Sequence, residues 1–303
     1  MIYTCTMTPS IDYTIHLPTF KPGELNRTEH VHYYPGGKGI NVSRVLHRLG
    51  ISTTALGFAG GFTGEFIQQA LTVEGIQTDF IATNEITRIN VKIKAEKESE
   101  LNGPGPIISK QQQRALLTKI EQFQKNDWFL LAGSLPETID SSFYEAIAAT
   151  CNRKGVHLVI DTSGKALHQL LQTEPFLIKP NQTELEALFN TKLHTTEQVI
   201  DRAKQIMRTG IKHVMVSMGE KGAILVNEDT TLVAESPQGN VINTVGAGDS
   251  MVAGFLASYL INQESQEAFR YAVAAGSATA FSHDLCDKSH IEHLIDRVSI
   301  TQV

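Results

Sequence analysis

The sequence is poor in several features that would place a protein in a specialised class. Charged residues make up 19% of its 303 residues and aromatic residues 7%, with one tryptophan. No Lys/Arg-rich run is present and the formal net charge is −6, so we expect no nucleic-acid partner. No apolar stretch reaches the ~18 residues that a membrane-spanning helix needs, and the N-terminus lacks a basic segment followed by an apolar one. We therefore expect neither a membrane span nor a secretion signal.

Cysteine is also scarce. The three cysteines, Cys5, Cys151 and Cys286, lie far apart and their count is odd, so we expect no disulfide framework. Unpaired thiols fit a reducing compartment and predict a cytoplasmic protein. The 11 histidines form no HExxH motif and no cluster with cysteine, which argues against a transition metal held by the protein alone. Hydrophobic residues reach 41%, which is enough for a sizeable core.

Short apolar runs bounded by Gly, Pro or Asp predict strands that are buried on both faces of a parallel sheet. They lie at residues 128–132, 156–160, 176–178 and 213–217. Helical patterns occur at about 110–125, 140–153, 164–171, 182–189, 195–209, 247–262, 264–281 and 289–297. The alternation favours an α/β fold with helices on both faces of the sheet. Residues 222–226 and 229–233 predict an antiparallel hairpin at one side.

Two other segments alternate apolar and polar residues with a period of two. Residues 11–17 and 88–94 therefore predict strands with one buried and one wet face. Such strands do not suit the centre of a doubly covered sheet, so we expect a small second sheet with strands from about 11–34 and 88–106. Its polar face would present Asp12, Arg88 and Asn90, although a plain solvated face is the commoner meaning of this pattern. No repeat or linker divides the chain, and we expect residues 1–303 to form one domain.

A glycine-rich turn opens an apolar helix at residues 243–250 (NTVGAGDS). Gly246, Ala247 and Gly248 leave the backbone bare, so several N–H groups can point at one anion at the positive end of the helix dipole. Asp249 is either a helix-stabilising acid in the first turn or a general base beside an anion site. The adjacent anion site favours the base. A dinucleotide-binding fingerprint is not met, because Met251 stands where its third glycine would be.

A second glycine-rich segment, residues 35–39 (PGGKG), leads into a predicted helix at 40–49. Bare backbone at Gly36 and Gly37, with Lys38 and Asn41 near the helix start, can seat a sugar or a phosphate. The alternative is a tight loop in which the glycines only relieve crowding.

Three further candidates follow predicted strands. Asn181 and Glu184 in residues 179–184 (KPNQTE) have the spacing of a capping box. The same side chains can orient water on a Mg²⁺ ion that carries nucleotide phosphates. Ser134 and the segment 217–222 (SMGEKG) each fit either a plain turn or a ligand contact.

The order of these motifs resembles that of the ribokinase-like carbohydrate kinases, the PfkB group. Residues 36–42 (GGKGINV) and 243–250 correspond to the two signature regions of that family, and the resemblance covers nearly the whole chain. It implies a three-layer α/β/α domain with a mostly parallel central sheet and a small β-sheet lid. Within the family, residues 87–92 (TRINVK), 102–106 (NGPGP) and 161–164 (DTSG) are most similar to members that phosphorylate fructose 1-phosphate.

The resemblance implies transfer of a phosphoryl group from ATP, with Mg²⁺, to the 6-hydroxyl of fructose 1-phosphate. Asp249 would take the hydroxyl proton, and the N–H groups of Gly246, Ala247 and Gly248 would hold the transferring group. The implied sugar contacts are Asp12, Gly36, Gly37, Lys38 and Asn41, and the implied contacts to its phosphate are Arg27, Arg88, Asn90 and Ser134. The implied ATP and Mg²⁺ contacts are Lys179, Asn181, Glu184, Ser217, Gly219, Gly222, Thr244 and Ser277, with Glu184 reaching the ion through water.

Several alternatives stay open from the sequence. Tagatose 6-phosphate or fructose 6-phosphate is the alternative substrate, since members of the same family take these sugars. A non-catalytic sensor of sugar phosphates and nucleotides would keep the fold, although the intact GAGD segment argues against it. A nicotinamide-dependent oxidoreductase is a weaker alternative because the glycine fingerprint fails. Lid strands with exposed apolar faces would also allow a homodimer through the lid.

Overall fold

The computed structural model describes residues 1–136 and 138–303. Its strands are β1 Ile2–Thr6, β2 Ser10–His16, β3 His30–Gly36, β4 Thr53–Ala59, β5 Gln77–Thr78, β6 Ile81–Ala82, β7 Arg88–Lys94, β8 Ser99–Asn102, β9 Trp128–Ala132, β10 His157–Asp161, β11 Leu177–Ile178, β12 His213–Ser217, β13 Ala223–Asn227, β14 Thr231–Ala234 and β15 Ile300–Gln302. Its helices are α1 Lys38–Arg48, α2 Gly61–Val73, α3 Lys110–Ile120, α4 Ser141–Lys154, α5 Gly164–Leu170, α6 Gln182–Phe189, α7 Thr196–Met207, α8 Ala247–Asn262, α9 Ser265–Ala280 and α10 Lys288–Leu294.

The larger sheet runs through the centre of the molecule. Its order is β15-β14-β13-β12-β11-β10-β9-β1-β4-β5, and β6 also pairs with β4. Neighbouring strands from β12 to β5 are parallel, whereas β13, β14 and β15 are antiparallel at one side. The mostly parallel sheet and its flanking hairpin are confirmed.

Alternate residues of β9 show that the sheet is covered on both faces. Phe129 and Leu131 belong to an apolar cluster with helices α3 to α7. Trp128 and Leu130 belong to a second cluster with α1, α8, α9 and α10. Side chains that point alternately to the two faces are thus buried on each, and the three-layer α/β/α architecture is confirmed.

Two central strands, β1 and β4, were not predicted from the sequence. Threonines interrupt their apolar runs, yet Thr4, Thr6 and Thr53 are buried. Thr4 and Thr53 each lie within 2.8 Å of the hydroxyl of Ser43 on α1, and the Thr6 hydroxyl accepts the Ile40 N–H. Hydrogen bonds to α1 therefore compensate the burial of these hydroxyls.

The smaller sheet has four strands in the order β3-β2-β7-β8, and we call it the lid. Strand β2 is parallel to β7, and the outer pairs are antiparallel. Residues opposite one another share a face, and Asp12 lies opposite Asn90 and Tyr34. The predicted second sheet is confirmed, and its polar face carries Asp12, Asn90 and Lys92.

Helix boundaries follow the sequence pattern unevenly. Helices α6 and α8 begin and end where predicted, whereas α3 ends at Ile120 and α10 passes into a 3₁₀ turn at Ile295–Arg297. Helix α2 and strand β15 were not predicted. Among the residues that the structure describes, no helix is long and apolar enough to cross a membrane.

Candidate functional site

A polar cavity of about 460 Å³ lies where four parallel strands end beneath the lid. We call it the Asp249 cavity. It is lined by residues at or just after the carboxyl ends of β1, β9, β11 and β12, by the start of α1 and α8, and by the polar face of the lid. The crevice outside the carboxyl ends of parallel strands is where open α/β sheets bind ligands.

Asp249 lies in the first turn of α8, buried at the edge of this cavity. Its Oδ2 accepts a hydrogen bond from Nδ2 of Asn41 at 2.7 Å. Burial and the negative charge of Asp161 raise its pKa to about 6, against the opposing effects of Lys38, Asn41 and Lys179. Asp249 lines the cavity, and its raised pKa makes it a weak base near neutral pH.

The start of α8 offers fewer amides than the sequence suggested. Gly246 precedes the helix with a left-handed φ of 80°, which glycine adopts without strain. The Ala247 N–H donates to the Thr244 carbonyl at 3.2 Å, so its amide is engaged within the loop. Gly248 lines the cavity, and a side chain there would come within 3.1 Å of Nζ of Lys179. A cation therefore adjoins the positive end of the helix, which favours an anion.

Lys38, Lys179 and Asp161 form a buried ionic group beside Asp249. Oδ1 of Asp161 lies 2.8 Å from Nζ of Lys38 and 3.4 Å from Nζ of Lys179. Burial acts to raise the pKa of Asp161, but the two ammonium groups outweigh burial and lower it. Burial likewise acts to lower the pKa of Lys38, and Asp161, Glu184 and Asp249 outweigh it and raise that pKa. Both shifts favour the charged forms of Asp161 and Lys38 at neutral pH.

On the lid, Asp12 is held by three side chains. Its Oδ1 accepts from Ser10 at 2.8 Å and from Asn90 at 3.3 Å, and its Oδ2 pairs with Nζ of Lys92 at 3.0 Å. A side chain at Gly36 would collide with Oδ1 of Asp12 at 2.4 Å. Glycine at that position therefore makes room for Asp12, as the crowding alternative predicted. Gly37 likewise leaves room for Thr6, whose Cγ2 a side chain there would approach within 2.5 Å.

Arg88 and Ser134 both line the Asp249 cavity, Arg88 from the lid and Ser134 from the loop after β9. Among the described residues, Nε of Arg88 and Oδ1 of Asn90 are buried without a hydrogen-bond partner. Buried polar atoms in proteins are normally paired, so these two atoms indicate a missing ligand. Arg27 lies elsewhere: it is exposed between β2 and β3 and does not line the cavity.

A second cavity of about 660 Å³ adjoins the first and shares Asn181, Ser217 and Gly248 with it. We call it the Ser277 cavity. Of the residues predicted to contact ATP it also contains Gly219, Gly222, Thr244 and Ser277, and its walls include the apolar side chains Met251, Val273 and Phe281. Lys179 lines the Asp249 cavity instead. An apolar slot with a few polar groups is the usual form of a small-molecule site.

Asn181 and Glu184 make the capping box that their spacing predicted. Oδ1 of Asn181 accepts the Glu184 N–H and Oε2 of Glu184 accepts the Asn181 N–H, both at 2.8 Å. Oε1 of Glu184 lies 3.9 Å from Nζ of Lys38. Glu184 lines neither cavity. Its Oε1 is nevertheless close to Lys38 of the ionic group described above.

Sequence reasoning missed Asp161 and Lys92 as parts of this site. Both stood in quoted motifs, DTSG and TRINVK. The available signal for Asp161 was a carboxylate at the end of an apolar strand, and for Lys92 a cation on the polar face of an alternating strand. No local pattern could name their partners, which lie far away along the chain.

The site thus joins two cavities at a helix N-terminus, with a carboxylate and two lysines at the junction. Such positioning and charge neutralisation are what phosphoryl transfer requires, and they define the class as a phosphotransferase on an α/β/α scaffold. The model of the pfkB family of carbohydrate kinases matches residues 5–291. The chain belongs to this family.

Individual relatives cover the whole chain. The 1-phosphofructokinase of Bacillus subtilis is 43% identical over 303 residues, 100% of both chains. The D-tagatose-1-phosphate kinase of Bacillus licheniformis is 38% identical over 304 residues, again 100% of both. Phosphofructokinase-2 of Escherichia coli, solved with fructose-6-phosphate, has a TM-score of 0.91 at 30% identity over 98% of each chain. The same protein has been solved in a tetrameric inhibited form, with a TM-score of 0.91 at 31% identity and the same coverage.

Proposed function

We propose that this protein is a 1-phosphofructokinase, which transfers a phosphoryl group from ATP to the 6-hydroxyl of fructose 1-phosphate and forms fructose 1,6-bisphosphate. The observation that carries the proposal is the position of Asp249 where the Asp249 and Ser277 cavities meet at Gly248. A hydroxyl in the first cavity and a phosphoryl group in the second would meet beside this carboxylate. The 43% identity to the B. subtilis 1-phosphofructokinase over the full length of both chains supports the choice of sugar.

In this proposal Asp249 accepts the proton of the attacking hydroxyl. Its pKa of about 6 leaves most of the carboxylate ionised at neutral pH, while the raised value keeps it a better base than a solvent-exposed aspartate. The free amides at Gly246 and Gly248, with the Lys179 ammonium beside them, offset the charge of the transferring group. Lys38 adds a second positive charge.

The sugar would lie beneath the lid with its hydroxyls at Asp12, Lys38 and Asn41. Ser10, Asn90 and Lys92 already orient the Asp12 carboxylate, so little ordering remains for binding to achieve. We assign the substrate phosphate to Arg88, with Asn90 and Ser134, because Nε of Arg88 is buried and unpaired within the described part of the chain. A guanidinium binds phosphate through paired N–H donors.

The nucleotide would occupy the Ser277 cavity, with its base between the apolar walls and its phosphates towards Gly248. Carboxylate oxygens are the ligands that Mg²⁺ prefers, and this ion usually keeps several of its waters. We assign that role to Glu184 through water, since its Oε2 caps α6 and its Oε1 lies 3.9 Å from Nζ of Lys38, which lines the Asp249 cavity. The described residues hold no cluster of three or more metal ligands. When bound, the ion neutralises phosphate charge.

The decisive experiment is steady-state ATP turnover with four sugars in parallel: fructose 1-phosphate, tagatose 1-phosphate, fructose 6-phosphate and tagatose 6-phosphate. We expect the highest kcat/KM with fructose 1-phosphate. Asp249→Asn should lower kcat by about 10²–10⁴-fold, the usual contribution of a general base. Asp201→Asn, an exposed change on α7, is the matched control. Near-normal turnover in Asp249→Asn would refute the assignment of the base, and binding without turnover in the wild type would favour the sensor.

A second candidate substrate is tagatose 1-phosphate, which the sequence alone did not suggest. It enters because a full-length relative at 38% identity is a D-tagatose-1-phosphate kinase. The two sugars carry the phosphate on the same carbon and differ at one hydroxyl, so the same Arg88 contact would serve both. Fructose 6-phosphate remains the alternative that E. coli phosphofructokinase-2 raises.

We further propose that the chain works as one unit over residues 1–303, in the cytoplasm, and as a homodimer through the lid. The apolar face of the lid exposes 55% of Tyr33, 38% of Ile89 and 62% of Leu101, and Tyr33 stacks on Tyr13 at 4.8 Å. The free cysteines are all buried, as a reducing compartment permits.

The dimer is tested by light scattering on a sizing column. The wild type should elute with twice the mass of the chain, and Leu101→Glu with Ile89→Lys should give a monomer because charges disfavour apolar pairing. Ile261→Glu, which alters an exposed apolar residue near the end of α8 and outside the lid, should leave the mass unchanged. A wild-type monomer, or a dimer that survives the lid change, would refute the proposal.

A further inference from the structure

A third cavity adjoins the Asp249 cavity, and the function proposed above assigns no role to the histidines that line it. It encloses about 590 Å³ between the outer half of the lid's polar face and the loops before α8 and after α9. Asp12, Asn41, Lys92 and Val245 line both cavities. Four of its lining residues are His16, His30, His32 and His283, and we call it the histidine chamber.

The strand register brings three of these histidines together. His16 on β2 lies opposite His30 on β3, and Thr14 lies opposite His32. All of them therefore share the face of the lid that carries Asp12. The rings of His16 and His32 are 5.6 Å apart, edge to face. The fourth, His283, reaches the chamber from the loop after α9.

Lysine adds to the positive charge of the chamber. Lys94 on β7 lies beside His16 in the register. Its Nζ is 3.3 Å from Oδ1 of Asn243, and its charged partner Glu98 is 3.7 Å away and half exposed. Lys94 therefore keeps much of its charge available to a ligand.

The other charged groups that face the chamber are compensated. Lys92 pairs with Asp12 at 3.0 Å, and Arg44 on α1 pairs with Glu74 at 2.9 Å and Asp284 at 3.1 Å. Within residues 1–136 and 138–303, none of the four histidines forms an ion pair with a carboxylate. Their protonation would therefore add positive charge that no acidic side chain balances.

The histidines also act on one another. The pKa of His16 is lowered first by burial and then by the positive charges of His32, Lys94, His30 and His283, in that order. Positive charge on these neighbours disfavours protonation of His16, because the cations face the same space. A bound anion would remove this repulsion, so binding and protonation would support each other.

We propose that the histidine chamber is a second anion site, which binds a free polyphosphate of the di- or triphosphate class when its histidines are protonated. Such an anion spans several donors at once, and it keeps multiple negative charges at the mildly acidic pH at which imidazoles gain protons. Imidazolium and ammonium N–H groups form charge-assisted hydrogen bonds to phosphate oxygens. The volume of the chamber, about 590 Å³, admits an ion of this size together with water.

The test uses the ring-proton NMR resonances of the histidines in the full chain, titrated with inorganic pyrophosphate. At about pH 5.5, a full unit below the ordinary histidine pKa of about 6.5 because the pKa of His16 is lowered, the resonances of the chamber histidines should shift and saturate. The apparent affinity should fall at least tenfold by about pH 8, where imidazoles are neutral. Single His→Gln variants assign the resonances, and sodium chloride at equal ionic strength separates binding from screening.

The variant that should abolish the effect is His16→Gln combined with His32→Gln. Its control is His194→Gln combined with His293→Gln, two exposed histidines outside the chamber, which should keep the shifts. Thermal unfolding shows that both variants fold. Three results would each overturn the proposal: no saturable shift, equal shifts in all histidines, or full affinity in the His16/His32 variant. Neither ATP nor a sugar is used, so the outcome is independent of the proposed kinase reaction.

Discussion

Nδ2 of Asn41 donates a hydrogen bond to Oδ2 of Asp249 across 2.7 Å. The bond joins the first turns of α1 and α8, which pack on the same face of the large sheet. Because it favours the ionised carboxylate, it opposes burial and the charge of Asp161, which raise the pKa of Asp249 to about 6. Two distant helices therefore set the proton affinity of the proposed base together.

The pH dependence of turnover should report this balance. We expect kcat/KM to fall about tenfold per unit as the pH drops below about 6, because the protonated Asp249 cannot accept a proton. Asn41→Ala removes a hydrogen bond to the ionised form of Asp249. It should therefore move this acidic limb of the pH profile to higher pH. Asn262→Ala, at the exposed end of α8, should leave the limb in place. An unmoved limb in Asn41→Ala would show that another group titrates.

Stability should respond to Asp249 in the opposite sense to activity. A raised folded-state pKa means that the native state resists ionisation, so the carboxylate lowers stability above pH about 6 and the effect vanishes below its ordinary value of 3.8. Asp249→Asn should therefore stabilise the protein at pH 8 by up to about 3 kcal/mol, from a shift of about two units. Urea unfolding measures this, and Asp201→Asn should stay within about 0.5 kcal/mol of wild type. Destabilisation by Asp249→Asn would contradict the raised pKa.

The buried carboxylate beneath the site should behave differently. Asp161→Asn leaves the Lys38 and Lys179 charges without their shared partner, and we expect a loss of about 3–5 kcal/mol in the free energy of unfolding. Asp79→Asn is the control, because Asp79 makes an equally short but exposed pair with Lys119 at 2.7 Å, worth less than about 1 kcal/mol. Similar losses in the two variants would mean that burial adds nothing to the Asp161 contacts.

Arg88 offers a test that separates binding from folding. Arg88→Met removes a buried N–H that lacks a partner among the described residues, so we expect the free energy of unfolding to hold or rise. The KM for fructose 1-phosphate should rise at least tenfold, since charge-assisted bonds to phosphate are lost, with little change for unphosphorylated fructose. Arg114→Met on α3, an exposed change, is the control. Equal losses with both sugars would place the substrate phosphate elsewhere.

A buried histidine far from the cavities should make the fold sensitive to acid. His213 on β12 lies 3.0 Å from the Ser265 hydroxyl and 3.3 Å from the Phe176 carbonyl, and burial is the main cause that lowers its pKa to about 4. The neutral form is therefore favoured in the native state, and stability is lost as the pH falls from about 6.5 towards 4. At pH 5 we expect a loss of about 2 kcal/mol.

His213→Gln should remove the loss of stability that the buried His213 causes on acidification. The measurement is the urea midpoint at pH 7.5 and at pH 5. His293→Gln, which alters an exposed histidine, should retain it. A wild-type midpoint that does not move between the two pH values would contradict a neutral buried His213.

Local patterns carried much of the fold. The apolar runs at β9 and β12 and the segments at α6 and α8 lie where the sequence predicts them. Turn residues bound the two runs, a capping box begins α6 and a glycine-rich turn begins α8, and these local signals mark where each element lies. The alternation in β2 and β7 likewise predicted a second sheet. Strands β1 and β4 escaped prediction because their buried threonines are satisfied by Ser43 and by the Ile40 N–H on α1, and no local pattern shows that.

The sequence by itself determined the class of fold, the glycine-rich start of α8 and Asp249 as the proposed base, since each depends on neighbouring residues. Only the tertiary structure decided which charges meet. Asp161 pairs with Lys38, 123 positions away in the sequence, and with Lys179. Lys92 pairs with Asp12, 80 positions away. Arg27, one residue among the expected phosphate contacts, stays outside the Asp249 cavity. Electrostatic energy depends on distance through space, and the packing of strands, helices and loops together sets that distance.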